Sequence, residues 1–251
     1  MSLSTVSKND LADLIPGNAM WPGKKSDYVY KVIKWAILSR HFEPEVQLLE
    51  QDLARQFTCS QGTIREALLR LDEDGLVRRS GYRGTRVTNT SLQEAVEMVR
   101  VRLTIERAVA RTLAETGLQR DLPELEKMMV EMEEARKAGD LFTRSELDRA
   151  FHAKLVIAAD MELLSPILRR CSLHIHRYTM GGLEVPRDFF QESGVGDEHR
   201  KLLIELTGGG ADRAEAAMTG HLAQVLGRWA PSLLKAVGKA AFAPTALPKT
   251  N

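Results

Sequence analysis

The sequence has few cysteines, few aromatic residues and no long apolar run. Cys59 and Cys171 are the only cysteines among 251 residues, too few for a disulfide framework or a thiolate metal cage. Redox chemistry is therefore not expected. No stretch approaches the roughly 18 consecutive apolar residues that span a membrane, and the first twenty residues lack the pattern of a secretory signal. These absences predict a cytoplasmic globular protein with no membrane partner.

Charge is balanced over the whole chain but is unevenly distributed along it. The formal net charge is +1, yet residues 24–90 carry 12 basic and 9 acidic side chains. Within that segment, four arginines lie in a short stretch without an acidic residue: Arg78, Arg79, Arg83 and Arg86. Such a local field attracts phosphate. By itself it is a weak indication of nucleic-acid binding, because short basic loops are often simply solvated.

The periodicity of residues 26–89 predicts three helices followed by a hairpin. Apolar residues recur at helical spacing from residue 26 to about residue 42, then over residues 50–57 and 61–74. Ser60 is placed to cap the third helix and Gly75 to end it. Two short strands then enclose a polar turn at residues 80–84. This order is that of a winged helix-turn-helix, preceded by a loose tail over residues 1–25.

The third helix of this layout is expected to contact DNA. Its apolar face is taken up by the core, which leaves Gln61, Thr63, Arg65 and Arg70 to project, with Ser60 at the leading end. Arginine can form paired hydrogen bonds with guanine and glutamine with adenine. The alternative is that these are ordinary solvated positions of an amphipathic helix. The basic hairpin directly after the helix favours DNA binding.

The remainder of the chain predicts an all-helical bundle over residues 90–240, followed by a tail over residues 241–251. Ser91 and Glu94 form a capping box that opens the first helix. No stretch of this region alternates with period two, and further helical patterns run on from there: about residues 122–138, 144–159, 163–178, 189–206 and 212–237. The fold class is therefore mainly α, with an N-terminal winged helix-turn-helix and a C-terminal helical bundle.

Four polar residues of the bundle are difficult to explain as surface or plain core. Asp148 and His152 share one face of a helix, and His199 and His221 stand at the borders of apolar stripes. Buried imidazoles and carboxylates need partners, and a divalent transition ion such as zinc or nickel would satisfy all four while leaving coordination positions open. The alternative is an Asp148–His152 ion pair and two unrelated histidines.

Other histidines are weaker candidates for such a site. His174 and His176 are two apart and point to different sides of one helix, so at most one of them can face the same cavity. His41 lies in the first region and is expected to be exposed.

The run LLEQDLARQFTCSQGTIREALLRLDEDGLVRRSGYRGTRV, residues 48–87, strongly resembles the DNA-binding domain of GntR-type bacterial transcription regulators. Residues 91–238 resemble the FadR-type ligand-binding (FCD) domain of that family through EMVRVRLTIE, DRAFHAKL, DEHRKLLIEL and MTGHL. The resemblance implies a set of DNA-contacting residues: Gln51, Ser60, Gln61, Thr63, Arg65, Tyr82, Arg83 and Gly84. Many members have arginine where this chain has Gln61, so the resemblance implies DNA binding but not a particular operator sequence.

The resemblance also assigns roles in the bundle. It implies that Asp148, His152, His199 and His221 form the metal-binding set, and that Arg100 lies near an effector pocket, where a guanidinium can pair with a carboxylate. The other role of Arg100 is a salt bridge to Glu97 or Glu106. The implied protein is a homodimeric, non-enzymatic transcription regulator, in the usual case a repressor, which binds double-stranded operator DNA and a small carboxylic acid.

Two other functions fit the same residues. A metal-dependent hydrolase or lyase would need a base near the metal, and Glu198 beside His199 is the candidate in sequence. A structural ion with no effector would only tie helices together. Turnover assays on small acids would identify the first, and the absence of any stabilisation by acids would identify the second.

Overall fold

The computed structural model describes residues 11, 14, 23–80, 84–181, 195–208 and 210–243. The chain divides into two compact units: Met1–Ser91 with Leu173–Gly181, and Leu92–Ser172 with Gly182–Asn251. Helices dominate the described residues and the strands are short, so the mainly α fold class is confirmed.

Three helices and a small sheet form most of the first unit. In chain order the elements are α1 (Lys25–Leu38), β1 (Gln47–Leu48), α2 (Glu50–Gln56), α3 (Gln61–Glu73), β2 (Val77–Arg79) and β3 (Thr85–Val87). The helices enclose a core of side chains with no solvent exposure: Val29, Ile33, Ala36, Leu53, Ile64, Leu68 and Leu71. This is the expected winged helix-turn-helix.

The wing contains a strand that the sequence analysis did not predict. The strand order is β1-β3-β2 and both pairings are antiparallel, with Gln47 opposite Arg86 and Val77 opposite Val87. Strand β1 has only two residues, so it shows no alternation by which it could be recognised. It adds a third strand beside the wing and fixes β3 between two neighbours.

Seven helices of the described residues follow the first unit's strands. They are α4 (Leu92–Thr116), α5 (Leu122–Lys137), α6 (Leu141–Ala158), α7 (Ser165–Gly181), α8 (Val195–Gly208), α9 (Ala211–Trp229) and α10 (Pro231–Val237), with short 3-10 helices at Glu162–Leu164 and Lys239–Phe242. Helix α4 packs along α9, α6 and α8, while α8 also packs against α9 and α5. Helix α7 contributes its last nine residues, Leu173–Gly181, to the first unit.

Several helix boundaries differ from the predicted ones. Helix α1 ends at Leu38 rather than near residue 42, and two differences in the bundle have a clear local cause. The single helix expected over residues 212–237 is wrong, because Ala230 separates α9 from α10 and Pro231 begins the latter. Proline has no backbone N–H and clashes with the preceding turn. Helix α6 begins at Leu141 rather than residue 144, because Asp140 caps it by accepting a hydrogen bond from the Thr143 amide at 2.9 Å. The predicted start of α8 at residue 189 lies outside the described residues.

Among the residues that the structure describes, no helix is both long and apolar enough to cross a membrane.

Candidate functional site

The N-terminal end of α3 presents polar side chains to solvent. Ser60 caps the helix, since its hydroxyl accepts a hydrogen bond from the Thr63 amide at 3.1 Å, and its Oγ lies 2.9 Å from Thr63 Oγ1. Gln51 on α2 and Gln61 on α3 are exposed. The first turn of α3 therefore combines exposed hydrogen-bonding groups with a helix N-terminus, which favours anions such as phosphate.

The two arginines of α3 have different surroundings. Arg65 is 58% exposed and its Nε donates to Glu50 Oε2 at 2.6 Å. Arg70 is paired with Asp27 and stacks on the Tyr30 ring, with its guanidinium carbon 4.1 Å from the ring centroid. Arg65 is therefore available at the surface, whereas Arg70 ties α3 to α1.

The described part of the wing carries three exposed arginines. They are Arg78, Arg79 and Arg86. At the wing turn, Gly84 has φ +77°, and a Cβ there would lie 3.0 Å from the side-chain nitrogen of Gln47. Glycine is needed at this turn because other residues rarely adopt that conformation. Tyr82 and Arg83, the other predicted wing residues, lie outside the described residues.

Three histidines from three helices meet inside the second unit. His152 of α6, His199 of α8 and His221 of α9 are buried, and each offers a ring nitrogen within 4.8 Å of the others. Their rings are 4.7 to 5.8 Å apart between centroids. The structure therefore brings together three of the four residues of the predicted metal-binding set.

Asp148 lies one helical turn before His152 and adjoins the same cluster. Its Oδ1 is 3.2 Å from His199 Nε2, and its side chain is 35% exposed. Burial opposes ionisation, but the hydrogen bond from His199 and the nearby imidazole of His152 lower the pKa of Asp148 well below its usual value. The carboxylate is therefore charged at neutral pH and contacts the cluster through His199.

His221 is held in its neutral form. Burial, followed by the repulsion of His199 and His152, lowers its pKa well below the usual value. Neither of its ring nitrogens has a hydrogen-bond partner in the described part of the chain, and the same is true of His152 Nε2. A neutral imidazole with a free lone pair is the form that binds a metal.

Glu106 of α4 orients His152 from the other side. Its Oε1 is 3.0 Å from His152 Nδ1 and 3.3 Å from Arg102 Nε, and the Glu106 side chain is 1% exposed. Burial raises the pKa of Glu106, but the charges of Arg102 and His152 outweigh it and lower the pKa below the usual value. A carboxylate on one ring nitrogen leaves the other to face a metal, which is the common arrangement of metal-binding histidines.

These residues fit a divalent metal ion. Three imidazoles and one carboxylate suit a transition metal, and donors that share such an ion stand about 3 to 4 Å apart. One ring nitrogen of each histidine lies within 4.8 Å of the others, somewhat wider than that range. Several buried ring nitrogens without a partner are costly unless something binds them.

The other predicted site residues lie elsewhere. Arg100 is 48% exposed and pairs with Glu97, one of the two salt bridges considered for it. Arg102, two residues further on α4, is 13% exposed and adjoins Glu106. Residues two apart on a helix point in nearly opposite directions, so the structure does not bring Arg100 to the cluster. The i, i+4 spacing of Arg102 and Glu106 was the signal that sequence reasoning missed.

Two more histidines are separate from the cluster. His41 is exposed, and His174 bonds to Thr90 and Asp74 in the first unit. Glu198, the base that a hydrolase would require, accepts a hydrogen bond from Gln224 Nε2 at 2.8 Å and pairs with Arg228.

Comparisons with known proteins identify the family of both parts of the chain. Residues 25–87 match the family of bacterial regulatory proteins described as the gntR family, and residues 97–224 match the FCD domain. The chain combines a winged helix-turn-helix, whose helix α3 (the reading helix) presents polar side chains to solvent, with a helical bundle. This is the architecture of a DNA-binding transcription regulator. The chain belongs to the GntR family, and its second part is an FCD domain.

Named relatives are regulators of the same kind. The chain is 26% identical to YdhC, an uncharacterized HTH-type transcriptional regulator of Bacillus subtilis (strain 168), over 76% of this chain and 85% of the relative. It is 25% identical to RspR, an HTH-type transcriptional repressor of Escherichia coli (strain K12), over 78% of this chain and 85% of the relative. The solved structure of E. coli McbR/YncC shares the fold, with TM-score 0.63 and 18% identity, over 85% of this chain and 98% of that one.

Proposed function

We propose that the protein is an effector-responsive regulator, acting as a repressor, whose FCD domain binds a divalent metal and a small organic acid. The observation that carries the proposal is the convergence of the buried His152, His199 and His221, with Asp148 in contact with His199. Among the described residues, both ring nitrogens of His221 and Nε2 of His152 have no hydrogen-bond partner. Zinc and nickel are the expected metals, because both accept imidazole nitrogen together with carboxylate oxygen.

The effector is a carboxylic acid in this proposal. A bound metal with open coordination positions supplies a Lewis-acidic contact for a carboxylate. Arg102, rather than Arg100, is the arginine that its burial and its contact with Glu106 support as a second contact. A guanidinium beside the site pairs well with an anionic group, through two parallel hydrogen bonds where the geometry allows.

The two proposed domains differ from the two compact units at residues 173–181, which belong to the first unit. We propose residues 26–89 as the DNA-binding domain and residues 90–240 as the sensing domain of the FadR-like type. The protein would act as a homodimer in the cytoplasm, where two winged domains can bind the halves of a palindromic operator. An acid that binds two conformational states with different affinity would shift the operator equilibrium.

Metal analysis combined with an acid screen tests whether the FCD domain binds a metal and an organic acid. Purified wild-type protein is expected to hold about one equivalent of metal per chain, and thermal midpoints should rise with one or more acids from a panel of small carboxylates. His152→Ala should lose both properties, while His41→Ala, at an exposed histidine, should retain them. Full metal content in His152→Ala would contradict the ligand set. Metal binding with no response to any acid would indicate a structural ion.

A salt-dependent binding series tests the DNA interface. Arg65→Ala should weaken binding to a duplex, selected from a random pool by the wild-type protein, by about 1 to 3 kcal/mol if the side chain reads a base. Arg70→Ala removes the same charge from the same helix but should leave affinity closer to wild type, because Arg70 contacts Asp27 and Tyr30. Unchanged binding of Arg65→Ala at every salt concentration would remove Arg65 from the interface.

A further inference from the structure

Two side chains near the end of α7 hold the linker that follows the wing. Residues 88–91 connect β3 to α4. Arg177 Nη1 donates to Thr88 Oγ1 at 3.0 Å, and His174 Nδ1 lies 2.8 Å from Thr90 Oγ1. His174 is 5% exposed and Arg177 is fully buried. Because they are three residues apart, they share one face of the helix, and together they bind two hydroxyls of the linker.

His174 also reaches the end of the reading helix. Its Nε2 lies 3.2 Å from the carbonyl oxygen of Asp74, the residue that caps the C-terminal end of α3. A carbonyl can only accept, so Nε2 carries the hydrogen and Nδ1 accepts from the Thr90 hydroxyl in the neutral imidazole. One histidine thus joins α7 both to α3 and to the linker.

The linker itself is bonded to the turn after α3. The Thr88 hydroxyl donates to the carbonyl oxygen of Gly75 at 2.7 Å, and the Thr88 amide donates to the carbonyl oxygen of Leu76 at 3.0 Å. Thr88 therefore lies between Arg177 on one side and the α3–β2 turn on the other. All of these contacts lie within the first unit.

Burying the guanidinium of Arg177 at this position costs free energy of folding. Its Nε and Nη2 have no hydrogen-bond partner in the described residues, and burial, followed by repulsion from Arg40, lowers its pKa to about 10. Apolar side chains of similar volume at such positions often leave stability unchanged or raise it. Stability therefore does not account for this arginine, whereas its bond to Thr88 offers a reason for its presence.

We propose that His174 and Arg177 are positioning residues for DNA binding: they fix the wing linker, and through Asp74 the end of α3, on the last turns of α7. Helix α7 begins in the second unit and ends in the first. The proposal requires neither the metal nor the acid, so it can fail or succeed independently of the sensing function.

The first test separates positioning from stability. In the full-length chain, Arg177→Met should weaken binding to the selected duplex by about tenfold, the equivalent of one lost hydrogen bond from a charged group, while its thermal midpoint does not fall. The slope of affinity against salt concentration should be unchanged, because no phosphate contact is lost. Arg170→Met, which removes the same charge from an exposed position of α7, should bind like wild type. Wild-type affinity in Arg177→Met would overturn the role of Arg177.

The second test uses the two nitrogens of His174. Asparagine can replace the Nδ1 contact with Thr90, and glutamine the Nε2 contact with Asp74, so His174→Asn should retain the linker bond and His174→Gln should lose it. Faster hydrogen exchange of the Thr88 amide and weaker duplex binding are expected in His174→Gln but not in His174→Asn. Equal behaviour of the two variants would contradict the proposed linker contact.

Thr90→Val provides the same test without altering α7. It removes the hydroxyl while keeping the shape of the side chain, so it remains informative if a His174 or Arg177 variant does not fold. Reduced duplex affinity with faster exchange of the Thr88 amide supports the proposal, and wild-type values for both measurements overturn it.

Discussion

Glu106 illustrates how a residue outside the metal-binding set can control it. Its carboxylate lies 3.0 Å from His152 Nδ1, so it selects which ring nitrogen of His152 faces the cluster. We predict that Glu106→Gln weakens zinc binding by about 10- to 100-fold, because the amide holds the imidazole less strongly than a carboxylate does. Competition with a chromogenic chelator measures this directly.

Glu215→Gln is the matched control for that measurement. Glu215 is equally buried but pairs with Arg111 and Arg107. The substitution should lower stability without changing zinc affinity. Equal zinc affinity in Glu106→Gln and wild type would show that Glu106 does not orient His152.

His221 makes the stability of the metal-free protein depend on pH. Its pKa is lowered by burial and by the neighbouring imidazoles, so below about pH 6.5 the unfolded chain binds a proton there that the folded protein does not. The free energy of unfolding should therefore fall as the pH decreases from about 7 to 5, with a contribution from this residue of at most ~1.4 kcal/mol per pH unit.

Urea unfolding of chelator-treated protein measures this contribution. His221→Gln should show a smaller loss of stability on acidification, and His41→Gln, at an exposed histidine, should follow wild type. A wild-type pH slope in His221→Gln would show that His221 takes up a proton in the folded protein as readily as in the unfolded chain.

At the level of secondary-structure elements, α3 depends for stability on its N-cap residue, Ser60. Ser60 accepts a hydrogen bond from the Thr63 amide, so Ser60→Ala should cost about 1 kcal/mol of stability. Thr104→Ala is the control, because the Thr104 hydroxyl bonds only within α4, to the carbonyl oxygen of Arg100, and alanine favours the helix interior. Urea unfolding measures the stability of both variants. Equal stability of Ser60→Ala and wild type would show that the Ser60 hydroxyl does not stabilise α3.

The sequence predicted the elements that end at strong local signals. Ser60 and Gly75 bracket α3 as expected. Two of the wrong helix boundaries lie at local signals in the sequence: Pro231 between α9 and α10, and Asp140 before α6. Strand β1 has no such signal, because two residues cannot show a periodicity. It is recognised as a strand only by its pairing with β3.

At the level of the whole molecule, the sequence identified which bundle residues could bind a metal but not that they meet. Spacing placed Asp148 and His152 on one helix face, and His199 and His221 stood at the borders of apolar stripes. The resemblance to the GntR family grouped the four residues as one metal-binding set. Their convergence depends on how α6, α8 and α9 pack, which no local pattern encodes. The i, i+4 spacing of Arg102 and Glu106 on α4 is a local signal, whereas the hydrogen bonds from the end of α7 to the rest of the first unit depend, like the histidine cluster, on packing.

The account centres on control of DNA binding by an acid bound at the histidine cluster. The most direct measurement is the affinity of zinc-loaded protein for its selected duplex, with and without the acid that most raises the thermal midpoint. We predict that the acid changes the affinity of the wild-type protein by roughly 5- to 150-fold and leaves the affinity of His152→Ala unchanged. The same change in His152→Ala, or no change in wild type, would contradict the account.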